Sequence, residues 1–517
     1  MNQSSDTSDP RYRIVIIGGG TAGWMTAAGL ARQLSSRDYA ITLIESDEIG
    51  TVGVGEATLP HIKLFNDMLG LDEAEFMRAT RATFKLGIEF RDWDRPGDRY
   101  IHPFGAFGEP WGGVEFQHHW LRAKAAGCDV PPFAACSYAV VAAAADKFEL
   151  PNEDPKSIRS TYSYAYHFDA GLYANFLRAW ATARGVKRIE GQVETIDRDG
   201  ESGALTAVTL KSGMHIAGDL FVDCTGFRSL LLAGQFGVGW EDWTHWLPCD
   251  RAFAVPCAHG GGFTPYTRST AREAGWQWRI PLQHRIGNGY IFSSNFIAED
   301  DARDALLGRL DGEALGEPRL LRFQPGRRET SWVGNCIGIG LASGFLEPLE
   351  STSIYLIQAA VSDLVNLMPA PHSKGRSPDP RLAEEFNRLS TMQYERVRDF
   401  LILHYVANRR EGEPLWDYLR AMPLPDALVH KLALFRGRAK APDYQFGLFS
   451  RDSWLSVLLG QGIVPDRHDP MADTFDLARI AERIGDFRDR IAGGVAAMPT
   501  HAEFVADYCA MPGGIAA

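Results

Sequence analysis

RIVIIGGGTAGWMTAAGLARQL, residues 13–34, decides the fold. A β-branched apolar run ends in three glycines, and a stretch of helix formers follows directly. A second strand pattern, YAITLIES at 39–46, comes next. Strand, glycine turn, helix and strand within about 35 residues form a βαβ unit that opens a parallel sheet. Gly18-Gly19-Gly20-Thr21-Ala22-Gly23 fits GxGxxG in that context. Gly18 permits the tight turn, Gly20 lets a pyrophosphate approach the backbone at Thr21 and Ala22, and Gly23 allows close helix–strand packing. Glu45, at the end of the second strand, is placed to accept ribose hydroxyls. The unit predicts a bound dinucleotide without saying which one.

At 517 residues the chain exceeds one ordinary core. A net charge of −12 with no basic stripe argues against nucleic acid. Seven dispersed cysteines without a CxxC pair read as reduced thiols of a cytoplasmic protein. The N-terminus lacks the apolar core of a secretory signal, and no apolar run is long enough to span a membrane.

Two further segments favour FAD. DLFVDCTGFRS (219–229) is similar to the second fingerprint of flavoprotein monooxygenases. GNCIGIGLASGFLEP (334–348) sits where those enzymes hold the flavin's ribityl chain and pyrophosphate. No second strong GxGxxG offers a site for NAD(P)H, so reduced flavin is expected from a separate reductase. After a Pro/Ser-rich stretch at 368–381 the pattern turns helical. The expected class is α/β: a Rossmann-like, monooxygenase-type FAD module over 12–367, then a mostly α-helical substrate-side subdomain over 382–517.

Four stretches are candidates for chemistry. GVGEATLP (53–60) reads as a glycine-hinged loop over the flavin. ATFKLGIEFRDW (82–93) alternates like one strand, with Phe84, Leu86 and Ile88 opposite Lys85 and Gly87. In LEPLESTSIYLIQ (346–358), Ser and Thr precede an apolar helical run, and the free N–H groups of such a start can hold a small anion. GWQWRIP (275–281) puts Trp276 and Trp278 on one face of a strand. Two other motifs are set aside. HGGGF (259–263) is similar to an esterase oxyanion loop but has no GxSxG with it, and the adjacent His118 and His119 lack metal-ligand spacing, so no metal site is assigned.

GxGxxG, GVGEAT, the lysine of ATFKLGIEF, GWQWRIP and EPLESTS, in this order, resemble the flavin-dependent halogenases of the tryptophan halogenase family over nearly the whole chain. The resemblance implies that FADH2, O2 and chloride or bromide yield hypohalous acid. That acid crosses a tunnel to Lys85, which forms a haloamine or hydrogen-bonds the oxidant, while Glu350 assists and takes the arene proton. It places the halide ion at the N–H groups of Thr352 and Ser353, where Ser353 stands for a glycine of many relatives and is strained if φ must be positive. It assigns Val54, Gly55, Glu56, Ala57, Thr58, Val193, Asp223, Ile339 and Leu341 to the cofactor, beside the GxGxxG residues and Glu45. Trp276 and Trp278 become a barrier that keeps substrate from the flavin, and His102, Phe104 and Trp454 line the substrate site.

DYQFGLFSRDSWLSVLLGQGIVP (443–465) departs from the family, because it lacks the Glu–Asn clamp that grips an amino acid's ammonium and carboxylate. Indole or a similar small electron-rich arene is therefore expected rather than free tryptophan. The expected partners are a separate NADH-dependent flavin reductase and, by analogy with relatives, a second copy of the chain in a homodimer. A single-component FAD-dependent hydroxylase and a non-catalytic flavin-binding protein are the alternatives.

Overall fold

The computed structural model describes residues 10–48, 55–259, 262–371, 378–444 and 448–511. Its organising element is a six-stranded sheet. From edge to edge the strands are Trp332–Val333, Cys336–Gly338, Leu220–Asp223, Tyr12–Ile17, Tyr39–Glu45 and Lys187–Glu190. All neighbours are parallel except the edge hairpin Trp332–Val333 with Cys336–Gly338. Ile14 and Ile16 are fully buried between Leu43 on one side and Leu220 and Val222 on the other, as expected for a strand covered on both faces. The helix Thr21–Gln33 follows the glycine turn and packs on the helices Ala170–Thr182 and Thr352–Asn366. Asp169 starts the first of these by accepting the N–H groups of Gly171 and Leu172.

A seven-stranded sheet forms the second layer. Its strands run in the order Arg319–Arg322, Arg251–Cys257, Ile286–Phe292, Gly275–Pro281, Thr267–Arg272, Gly87–Arg91, Arg99–Pro103. GWQWRIP lies near its middle with all seven residues buried. Trp278 faces Gly289, where a Cβ would stand 2.0 Å from the indole ring, so the glycine makes room for the tryptophan.

The stretch 82–93 is not the single strand its alternation suggests. Thr83–Lys85 pairs with Ala165–Asp169 in a small three-stranded sheet, and Gly87–Arg91 belongs to the seven-stranded one. The chain changes sheet at Leu86, whose N–H donates to Pro265 and whose carbonyl accepts from Phe104. That corner turns Lys85 inward.

The described residues beyond 378 are mostly helical, led by the 27-residue helix Pro380–Val406. Asp379 caps it and Pro380 occupies the first turn, where a missing N–H costs nothing. One continuous apolar core includes Trp24, Phe84, Trp276, Phe400, Trp454 and Ile484, so helical part and sheets share it. Among the described residues no helix is long and apolar enough to cross a membrane.

Candidate active site

A cavity of about 910 Å³ opens where the first strand meets its helix. Gly18, at φ +110°, could not carry a side chain, because a Cβ would stand 2.2 Å from the Cys224 carbonyl oxygen. On Gly19 a Cβ would meet Oε2 of Glu45 at 1.6 Å, and on Gly23 it would meet the Gly18 carbonyl at 1.8 Å. The first turn of the helix carries no acidic residue, leaving its N–H groups to an anion. A cavity of this volume, with a glycine cradle and an acid at one end, fits a flavin dinucleotide. Glu45 is already held, accepting from Trp24 Nε1 at 3.1 Å and Arg188 Nε at 2.5 Å, with Arg178 at 3.5 Å.

Of the residues assigned to the cofactor, Gly18, Gly20, Thr21, Ala22, Glu45, Gly55, Glu56, Ala57, Val193 and Leu341 line this cavity. Val54 lies outside the described residues. Four others stand behind the wall. Gly23 serves helix–strand packing. Asp223 is fully buried, and its carboxylate accepts from Thr225, Leu231 and Leu232, so it builds the turn rather than touching a ligand. Ile339 is buried with its N–H on the Asp223 carbonyl. Thr58 turns its carbonyl to Lys85.

Trp276 and Trp278 line the cavity together, with ring centroids 6.2 Å apart. Lys85 and Glu350 do not line it; both are fully buried beyond. Ser351 links the two spaces. It lines the cavity, and its Oγ accepts from Lys85 Nζ at 2.8 Å. Lys85 also donates to the Thr58 carbonyl at 3.0 Å, and Nζ stands 5.1 Å from the centre of the Phe104 ring. Burial pushes the amine down to about 7 from its usual 10.5, against the opposing charge of Glu350.

The helix Thr352–Asn366 starts at this point. Ser351 takes the N-cap position, but its side chain goes to Lys85 and makes no cap bond. The residue with positive φ is Ser351, at +59°, so the strain anticipated at Ser353 sits two residues earlier. Ser353 lines the cavity, whereas Thr352 is buried behind it.

Glu350 stands between two imidazoles. His102 Nδ1 lies 2.8 and 3.0 Å from its two oxygens. His404 Nε2 lies 2.8 Å from Oε1, bent away from an ideal hydrogen bond, and His404 Nδ1 donates to the Phe400 carbonyl. Burial alone would raise the Glu350 carboxyl, but His102 and then His404 outweigh it and hold it down to about 2. An ionised carboxylate and an amine that is about half neutral near pH 7, both fully buried, give the site a proton acceptor and a nucleophile.

The expected substrate residues gather here too. Phe104 lies 6.5 Å from His102, and Trp454 reaches the same cluster through Phe400 at 5.1 Å. Phe449 stacks on Phe400 at 3.8 Å and leans on His102 at 6.2 Å. His102 is more than a stacking ring, since it is Glu350's main partner. Sequence reading missed Ser351, His404, Phe400 and Phe449. The polar pair His404-Tyr405 inside the apolar LILHYV was the available signal.

The sequence profile of the family described as tryptophan halogenase matches residues 13–477. The chain belongs to the tryptophan halogenase family. It is a flavin-dependent halogenase, an oxidoreductase. Tryptophan 6-halogenase SttH of Streptomyces toxytricini is 36% identical, over 96% of this chain and 98% of its own. Among solved structures, BrvH, a flavin-dependent halogenase from Brevundimonas sp. BAL3, superposes with a TM-score of 0.92 at 46% identity, over 97% of this chain and all of its own. Xcc4156, a flavin-dependent halogenase from Xanthomonas campestris, gives 0.92 at 45% identity, over 97% and 99%.

Proposed function

We propose that this halogenase acts on a small, electron-rich, neutral arene such as indole rather than on free tryptophan, using chloride or bromide and FADH2 from a separate NADH-dependent reductase. When bound, the reduced flavin supplies with O2 the oxidising equivalents that convert halide to hypohalous acid. The residues from 12 to 367 act as the flavin module, and those from 382 to 517 close the substrate side.

In this reading Gly18–Ala22 and the helix start behind them hold the pyrophosphate, and the N–H groups of Thr352 and Ser353 hold the halide. Trp276 and Trp278 keep the arene off the flavin. Lys85 receives the oxidant, its lowered pKa providing both neutral amine and ammonium near pH 7. Glu350, ionised between His102 and His404, accepts the proton that leaves the ring.

The observation that carries the substrate assignment is the character of the buried ring cluster that meets Lys85 at Phe104. Its rings are Phe104, Phe400, Phe449 and Trp454, and the charged side chains at and beside Trp454 make contacts of their own. Arg451 pairs with Glu115 at 2.6 Å, Asp452 accepts the Phe107 N–H at 3.2 Å, and Lys431 pairs with Asp399 at 2.8 Å. A zwitterion would compete with these pairs for the same charges. SttH is named for tryptophan, so the two substrates can be set against each other directly. With reductase, NADH, FAD, O2 and bromide, equal indole and tryptophan should give bromoindole in excess; bromotryptophan as the main product would reject the assignment.

The hydroxylase alternative needs the arene to reach the flavin. The buried tryptophan pair lining the flavin cavity weighs against it.

A further inference from the structure

Glu347 has no part in the roles above, yet it is fully buried three residues before Glu350. Its Oε2 accepts the indole N–H of Trp276 at 2.9 Å and the hydroxyl of Tyr405. Its Oε1 is buried without a partner among the described residues. Such a group is costly, and an apolar side chain would avoid the cost. The contacts it makes are therefore informative.

Tyr405 and His404 are neighbours at the end of one helix, and each holds one glutamate, Tyr405 on Glu347 and His404 on Glu350. The 3₁₀ turn Pro348–Glu350 fixes the spacing between the two acids. Trp93 fills the remaining gap, with its ring 6.5 Å from Trp276, 5.3 Å from Tyr405 and 6.1 Å from His404. Trp276 is thus fastened to the segment that carries Glu350 and Ser351.

We propose that Glu347 is a positioning residue that pins the Trp276 indole in the wall between the flavin cavity and the buried Lys85–Glu350 site. The inference rests on the halogenase reading given above. With the indole unpinned, reduced flavin and O2 follow routes that bypass halide. One releases oxidised flavin and H2O2, the two electrons and two protons of FADH2 passing to O2. The other inserts one oxygen atom into an arene C–H bond, the second oxygen leaving as water with the hydrogens of FADH2.

The test compares wild type, Glu347→Leu, Glu347→Gln and Trp276→Phe in the reconstituted bromide and indole assay. Its readout is the ratio of H2O2 plus hydroxyindole to bromoindole per NADH. Glu347→Leu should raise this ratio about tenfold, the factor corresponding to one lost hydrogen bond, and Trp276→Phe should do the same. Glu347→Gln keeps a carbonyl acceptor for the indole N–H and should remain near wild type. A ¹⁹F spectrum of flavin-free protein labelled with fluorotryptophan gives a second readout, with the Trp276 signal assigned by its loss in Trp276→Phe. Glu347→Leu should shift or broaden that signal. An unmoved Trp276 signal, or an unchanged product ratio in folded Glu347→Leu, overturns the proposal. Failure of wild type to brominate any arene would instead overturn the halogenase reading, and the ¹⁹F signal would still decide the pinning.

Discussion

Replacing Lys85 by Met should stabilise the protein while abolishing halogenation, and the gain should depend on pH. Inside the fold the amine is pushed from its usual 10.5 down to about 7. Between those values the unfolded chain binds a proton that the native chain does not, so wild-type stability rises with pH across that window. At about 1.4 kcal/mol per pH unit, the amine disfavours the native state by ~4 kcal/mol at pH 7 and by ~2 kcal/mol at pH 9. Methionine fills a similar volume and removes this burden. It also leaves the Thr58 carbonyl and Ser351 Oγ without their donor, a loss of about 1 kcal/mol each. The net gain is then ~2 kcal/mol at pH 7 and near zero at pH 9. Urea unfolding of both proteins at the two pH values measures it. Comparing the gains at pH 7 and pH 9 cancels the hydrogen-bond losses and leaves about 2 kcal/mol due to desolvation alone. A gain that stays constant with pH, or a larger gain at pH 9, would refute the buried, weakened amine.

Other expectations follow from single contacts. Glu350→Gln keeps the shape but loses the charge held by His102 and His404, so bromoindole formation should fall at least ~100-fold with flavin affinity unchanged. Ser353→Pro removes one N–H from the first helical turn, so the KM for bromide should rise about tenfold, and Tm should fall as well because proline disfavours the helical conformation of Thr352 before it. Gly19→Ala places a Cβ on Glu45, and titration with FAD should register at least ~10-fold weaker binding.

The flavin half was legible because its constraints are local. A strand, three glycines and a helix occupy consecutive positions, and Gly18, Gly19 and the helical Gly23 are positions where a Cβ would collide. GWQWRIP was legible for the same reason, since two residues apart on a strand means one face. The rest depends on long-range closure. Lys85 is inward because the chain changes sheet at Leu86, which the unbroken alternation of residues 82–93 conceals. His404 reaches Glu350 across 54 positions of sequence, carried there by a helix whose pattern announces only an apolar face. Asp223 misled for a related reason. An acid at a strand end beside a glycine turn looks like a ligand, yet the backbone N–H groups of Thr225, Leu231 and Leu232 claim it.

In the proposed reaction, oxidant made at the flavin is handed across the tryptophan wall to Lys85. The direct measurement compares wild type and Lys85→Ala with FAD, reductase, NADH, O2, bromide and indole, scoring brominated arene by mass spectrometry and free hypobromous acid with a soluble trap. With the trap in excess over indole, Lys85→Ala should release trapped oxidant at a rate close to that of wild-type bromoindole formation, and no bromoindole. Bromoindole persisting at the wild-type rate, or hydroxyindole as the main product of wild type, would contradict this transfer to Lys85.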